Sequence, residues 1–375
     1  MTSDAFHPSA TAARDAGGAE RPGIVLLGGD LAGTARVTAQ AEAAGFDSAW
    51  TTEFYERTAV VSLAVMAQAS ARLTLGSAIA YGVGRSPLVL AAEARDLDEL
   101  SGGRLILGLG TGPRTMMRDW HGVDPDAPAK RVEELVPLLR RFWTMDEGGI
   151  DHSGRFYSVR LKPTVDIRPP LRPDIPVYLA GVNPRMVRAA GRVGDGLVGH
   201  PIFTRRYVYE VVRPALAAGA AAGGRAGGDV PVAGFVVCSI HDDVDVARAD
   251  AKAQIAFYAV VRSYAPVFRL HGFENDVEEI RAAWQRRDRA GMIAAVPDVL
   301  VDHMAVAGTP DEARQRYAET FGGLYERALL YSPSFGLSPQ RFADNVAAII
   351  DTFGTGSGVR NAGTADESTR RRGVT

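Results

Sequence analysis

The chain has 375 residues, 46% of them hydrophobic, with 42 basic and 44 acidic side chains. That balance supplies no global positive field for nucleic acid or an anionic membrane, and no run approaches the roughly 18 apolar residues of a membrane span. Cys238 is the only cysteine, which excludes an intrachain disulfide and a cysteine-based zinc site. The stretch Met1 to Arg21 lacks the apolar core of a secretory signal, so a cytoplasmic protein is expected.

Residues 1–20 and 354–375 lack apolar periodicity and read as disordered tails around one domain at 21–353. GIVLLGG (23–29) reads as a buried strand, and Thr34 to Gly45 as a helix ending on glycine. DSAWTTE (47–53) is the second strand, with a helix near 57–71 behind it. LTLGSAIAY (73–81) is the third. Pro87 opens a helix that ends near Ser101, and RLILGLGT (104–111) is the fourth strand. A helix near 128–145 puts Leu135, Leu138, Leu139 and Phe142 on one face, and GIDHSGRFYSVRL (149–161) follows as a hairpin turning near Ser153 and Gly154. IPVYLAG (175–181), DGLVGHP (195–201), VPVAGFVVCSI (230–240) and RALLYSP (327–333) are the remaining strands. Pro184 opens a helix after the first of these, and a helix near 338–352 ends the pattern. Between the seventh and eighth strands, 242–326 reads as helices at 244–265, 276–290, 298–305 and 310–320.

Eight strands alternating with helices predict an α/β fold, a (β/α)8 TIM barrel with a helical insertion between strands seven and eight. A doubly wound sheet is the alternative. It would place a G-x-G-x-x-G fingerprint after its first strand, and GGDLAG (28–33) does not fit. The seven histidines form no H-x-H or H-E-x-x-H, and only His200 falls at a strand end, so no metal site is expected. No G-x-S-x-G and no P-loop occur.

In a barrel the active site lies at the C-terminal ends of the strands. Those ends here are rich in glycine and poor in ionisable groups: Gly28-Gly29, Glu53, Tyr81, Gly110-Thr111-Gly112, Gly181-Val182-Asn183 and Gly199-His200. Glycine lets a flat ligand or a phosphate approach the backbone. AGVNPRM (180–186) puts free amides at a helix start with Arg185 beside them, a reasonable phosphate cradle. A site with few acids and many glycines suits a cofactor that carries its own chemistry.

Four segments go further. LTLGSAIAYGVGRSPLVLAAEARDLDELSGGRLILGLGTG (73–112), GRFY (154–157), IPVYLAGVNPRMVRAAGRVGDGLVGHP (175–201) and AGTP (307–310) resemble the luciferase-like monooxygenase superfamily of flavin- and deazaflavin-dependent barrels. The likeness is to the branch of methylenetetrahydromethanopterin reductase and other coenzyme F420-dependent oxidoreductases. It covers about 23–353. The resemblance implies a third-strand bulge at Ser77, Ala78 and Ile79, with a cis peptide at Ala78–Ile79, that supports the deazaflavin ring. It places Gly110, Thr111 and Gly112 beside the cofactor. It assigns Gly181, Val182 and Asn183 to the phosphate, with Gly199 and His200 near the phosphate or tail.

Two departures matter. Relatives that oxidise sugar phosphates or secondary alcohols carry Asp-His after strand two, where this chain has Glu53-Phe54; the sugar-phosphate enzymes also carry Glu where it has Pro113. Without that histidine as base, reduction of an activated C=C or C=N bond fits better than alcohol oxidation. Glu53, Tyr81 and His200 are the candidate catalytic groups. Coenzyme F420 is the expected cofactor, with FMN and a monooxygenase reaction as the alternative, and a non-catalytic flavin-binding protein as a further one. The expected partners are a small-molecule substrate and further copies of the chain in a homo-oligomer.

Overall fold

The computed structural model describes residues 21–225 and 230–355. Eight parallel strand positions close into a barrel. They are β1 (Gly23–Leu26), β2 (Ser48–Thr51), the third position split into β3 (Thr74–Ser77) and β4 (Ala80–Tyr81), and β5 (Leu105–Gly110). After the antiparallel hairpin β6 (Ile150–Ser153) and β7 (Ser158–Leu161) come β8 (Val177–Ala180), β9 (Gly196–Gly199), β10 (Val232–Ile240) and, beyond β11 (Ala305–Gly308), β12 (Arg327–Tyr331). Each pairs with its neighbours in this order, and β12 returns to β1.

Helices surround the barrel: α1 (Leu31–Ala43), α2 (Ala59–Ala69), α3 (Pro87–Leu100), α4 (Arg114–Asp119), α5 (Pro128–Trp143) and α6 (Pro184–Val193). A π-helical stretch joins α7 (Arg205–Tyr207) to α8 (Arg213–Ala222). The insertion carries α9 (Val244–Ala259), α10 (Ala265–Leu270), α11 (Glu274–Gln285), α12 (Arg289–Ala294), α13 (Asp298–Met304) and α14 (Pro310–Arg316). The last helix is α15 (Pro339–Phe353). Several starts are written in the sequence as a polar cap followed by proline. Ser86, Thr309 and Ser338 each accept an amide from the first turn, and Pro87, Pro310 and Pro339 take the position where no N–H is needed. Thr309 and Glu312 complete a reciprocal capping box.

Every residue of β1, β2, β5, β9, β10 and β11 is buried, as parallel strands covered by helices require. Large rings fill the barrel because small residues face them. A Cβ on Gly76 would lie 2.1 Å from the Trp50 ring, and one on Gly196 2.5 Å from Tyr178. These two rings meet at 6.3 Å between centroids.

The insertion holds one strand where only helix is expected. AVAG (305–308) forms β11, not the end of a helix. The reason is the length of β10. Its first residues pair with β9 and its middle with β12, so Val237–Ile240 project beyond β9 with an open edge. β11 pairs with those four residues and satisfies their backbone groups. The expected tails 1–20 and 356–375 lie outside the described residues. Thr355 is held to the domain, its amide donating to Ala44 O at 2.8 Å. No described helix is long and apolar enough to cross a membrane.

Candidate active site

The third strand position is broken at its C-terminal end. From Gly76↔Ile106 to Ala80↔Leu109 the strand advances four residues while β5 advances three, which is a one-residue bulge. The Ala78–Ile79 peptide inside it is cis, at the bond expected from the resemblance. Its neighbours hold the bulge on both sides. Ala78 N–H donates to Thr51 O at 2.7 Å, Glu53 N–H to Ile79 O at 3.0 Å, and Gly82 N–H to Gly110 O at 3.0 Å. Ser77 Oγ donates to Gly108 O at 2.8 Å and accepts from Gly108 N at 2.9 Å. The Ser77 hydroxyl is thus spent on stitching the bulge to β5. Gly110 lies directly beside the bulge, and a Cβ on it would sit 2.3 Å from Ile79 Cδ1. Thr111 is buried, and Gly112 turns at φ +66 against Tyr81 and Met116.

Glu53 is not a free acid. Both its oxygens bind Arg85 at 2.8 Å, and Oε2 also accepts the Ala59 amide at 3.1 Å at the start of α2. Arg85 Nε binds Glu93 of α3 at 2.8 Å. The pairing raises the Arg85 pKa, while burial pushes the Glu93 carboxyl up. Where the sequence reading expects a proton donor, the Glu53 carboxylate ties the start of α2 to Arg85 and through it to Glu93 of α3, while the Glu53 backbone N–H holds the bulge. Phe54, in the position where alcohol-oxidising relatives carry histidine, turns out to the rim and packs with Tyr55 and Trp120.

Tyr81 stands over the bulge. Burial first, and the nearby Glu53 charge second, push its phenol up to about 12. Its hydroxyl reaches only Met116 Sδ at 3.6 Å, and its ring meets His121 at 4.9 Å. His121 Nε2 is buried with no hydrogen-bond partner among the described residues.

His200 lies at the end of β9 with its ring 4.3 Å from Tyr264 and 4.8 Å from Tyr258. Burial lowers its pKa to about 3, so the ring is neutral. Nδ1 accepts the Ile202 amide at 3.3 Å, which leaves the hydrogen on Nε2. In that tautomer His200 presents an N–H donor where the sequence reading expects a base. Tyr264 also lies within electrostatic reach of Tyr81, and Tyr258 donates to Tyr331 at 3.1 Å. These rings form an aromatic arc from Tyr331 on β12 through the insertion to His200 at the end of β9, with Tyr81 of β4 in electrostatic reach of its Tyr264 end. The insertion therefore covers the mouth. Tyr258, Tyr264 and Arg85 carry no local sequence signal, because the arc and the clamp join residues far apart in the chain.

At the expected phosphate cradle, Tyr207 donates its hydroxyl to Val182 O at 3.0 Å, and Asn183 Nδ2 donates to Ser263 O at 2.9 Å in the insertion. Among the described residues no acceptor takes the N–H groups of Val182, Asn183 or Arg185, and the Arg185 side chain is exposed. Such open amides at a helix start need a ligand or water. Gly181 serves the helix more than the ligand, since a Cβ there would meet Met186 and Val187 backbone at 3.0 Å. Gly199 is close-packed against Phe203.

The sequence pattern described as luciferase-like monooxygenase matches residues 3–326. The chain belongs to that family. It is accordingly an enzyme. It is similar to the 5,10-methylenetetrahydromethanopterin reductase of Methanolobus tindarius, at 31% identity over 74% of this chain and 83% of the relative. Among solved structures it resembles the coenzyme F420-dependent tetrahydromethanopterin reductase of Methanopyrus kandleri. The TM-score is 0.72 at 25% identity, over 89% of this chain and 98% of that one. An FMN-bound type II Baeyer–Villiger monooxygenase from Pseudomonas putida shares the fold, with TM-score 0.62 at 15% identity over 90% of this chain and 98% of its own. Solved structures of this fold thus include both F420 and FMN enzymes.

Proposed function

We propose that this luciferase-like enzyme is an F420-dependent oxidoreductase that passes a hydride between the deazaflavin and a small organic molecule. It reduces an activated C=C or C=N bond more readily than it oxidises an alcohol. One observation carries the direction: neither Glu53 nor His200 is free to take a hydroxyl proton. Glu53 is paired to Arg85, and the His200 Nδ1 lone pair is taken by the Ile202 amide. An alcohol releases hydride only as a base removes its proton, whereas an electrophilic acceptor has no such need.

The residues present suit the cofactor. The open amides of Val182, Asn183 and Arg185 fit a phosphate, with the α6 dipole and the Arg185 charge in support. The bulge at Ser77, Ala78 and Ile79, with Gly110, Thr111 and Gly112 beside it, offers backbone and small side chains to a flat ring. Bound F420 supplies the hydride. The chain then has three tasks. The bulge holds the ring's depth. Tyr81, Tyr258 and Tyr264 line the mouth and exclude water. His200 Nε2–H offers a neutral donor to a ligand oxygen.

The likeness to the F420-dependent reductases supports F420 over FMN. The test is a titration of the cofactor-free protein with F420 and with FMN. It is followed by oxidised F420 with alcohols and sugar phosphates, then reduced F420 with enones, imines and quinones. Tighter F420 binding and turnover in the second panel are expected. Tighter FMN binding with oxygen consumption would move the enzyme to the monooxygenase reading, and rapid F420 reduction by alcohols would reverse the direction.

A further inference from the structure

Reduction of a double bond takes a proton as well as a hydride, and we propose that Tyr258, Tyr331 and Ser334 form the path by which that proton enters from solvent. The inference rests on the reading that the barrel mouth is the site of hydride transfer. Tyr258 stands in the last turn of α9, Tyr331 ends β12, and Ser334 follows in the next loop. The two phenol oxygens are 3.1 Å apart, and Tyr331 Oη lies 3.4 Å from Ser334 Oγ. At the inner end Tyr258 is half-buried and its ring packs edge-on to His200. At the outer end Ser334 is exposed. Between them Tyr331 is buried, its ring 5.5 Å from Phe235. The outer link is held in place, because Gln254 Oε1 accepts the amides of Ser334 at 2.8 Å and Phe335 at 3.0 Å.

Ordinary satisfaction of buried hydroxyls accounts for one contact between two tyrosines. It does not account for a file of three that begins at the aromatic arc and ends in water. At rest Tyr258 donates to Tyr331, and each hydroxyl can rotate and can both donate and accept, so that the file relays a proton inward once the two hydroxyls turn. In the reducing direction a hydride from the reduced deazaflavin bonds to the acceptor carbon, and the π pair moves to the partner atom. That atom takes the Tyr258 proton as the Tyr258 oxygen takes the Tyr331 proton. Ser334 restores Tyr331 and water restores Ser334. The acceptor gains one hydride from the cofactor and one proton from solvent; the oxidised deazaflavin left behind sheds its own ring N–H proton to solvent, and no charge is left on the protein. Burial raises both phenol pKa values, so both tyrosines rest protonated.

The test uses the full chain and the variants Tyr331→Phe, which keeps the ring, and Ser334→Ala, at an exposed position. One readout needs no turnover. With oxidised F420 filling the mouth, or in the free protein if F420 does not bind, the ring carbon of Tyr258 bearing the hydroxyl is observed by carbon-13 NMR in equal water and deuterium oxide. Fast exchange along the file gives one averaged line in the wild type, and Tyr331→Phe is expected to split it. The second readout is single turnover with reduced F420 and an enone. Tyr331→Phe should lose about 10²-fold in rate with F420 affinity retained. Ser334→Ala should lose less, because surface water replaces its hydroxyl. If Tyr331→Phe does not fold, a slower proton-coupled step in Ser334→Ala supports the path and an unchanged one overturns it. An averaged Tyr258 line or an unchanged rate in Tyr331→Phe overturns it as well. Failure of the wild type to reduce any acceptor would defeat the proposed function, while the Tyr258 line would still decide the path.

Discussion

Glu53 and His200 both stand at strand ends, where a catalytic group is expected, yet their neighbours give them other work. The Glu53 carboxylate is 8% exposed and its three contacts reach Arg85 and the first turn of α2. Breaking a buried pair leaves the partner charge uncompensated. Glu53→Ala is therefore expected to cost about 3 kcal/mol in a denaturant titration, at the low end because Glu93 still faces Arg85. A loss below about 1 kcal/mol would mean that the clamp is ornamental. For His200 the folded pKa, about 3, lies below the ordinary histidine value of 6.5. Between those values the folded ring stays neutral while the unfolded one gains a proton. The contribution is thus fully present above 6.5 and is lost as pH falls toward 3. Unfolding titrations at pH 7 and pH 5 should show His200→Gln losing about 2 kcal/mol less than the wild type over that interval. The positions of both residues were legible in the sequence. Their roles were not, since Arg85 lies 32 residues from Glu53 and Tyr258 approaches His200 from the insertion.

At the scale of single elements the sequence was most informative where a local rule operates. The caps and prolines that begin α3, α14 and α15 act within one turn, and the strand positions follow from short apolar runs bounded by glycine or proline. β11 escaped because four apolar residues after a helix look alike as helix end or strand; only the unpaired edge of β10 chooses between them. The cradle at the start of α6 shows the same dependence. Gly181→Leu would not act simply by filling phosphate space. The contacts instead predict that the side chain pushes on Met186 and tilts the first turn of α6. Weaker binding of F420 and FMN with an unchanged circular dichroism spectrum is expected. Unchanged affinity for both cofactors would remove the cradle from the site.

For the whole molecule, one surface remains to be covered. α2 (AVVSLAVMAQA) has no charged residue, and Val61 on it and Leu88 and Val89 on α3 are exposed. A helix apolar on every side belongs in an interior. The homo-oligomer expected from the resemblance would bury this face, so sedimentation should show a dimer or larger assembly, and Val61→Glu with Leu88→Glu should shift it toward monomer. A monomeric wild type would refute that expectation.

The alternation of strand and helix was enough to specify a parallel barrel, because hydrophobic period and turn chemistry are local and survive in the linear chain. The same holds for the glycine-rich strand ends, which mark the side of the barrel where a cofactor fits. Which acid is paired, which histidine nitrogen is free and which tyrosines meet were decided only by folding. Those properties depend on charges and lone pairs brought within 3 to 4 Å from distant parts of the chain. The insertion supplies the clearest case. Its helices are visible in the sequence, but nothing in their pattern says that Tyr258 and Tyr264 lie over the mouth, because a helix periodicity reports which face is buried and not what it is buried against.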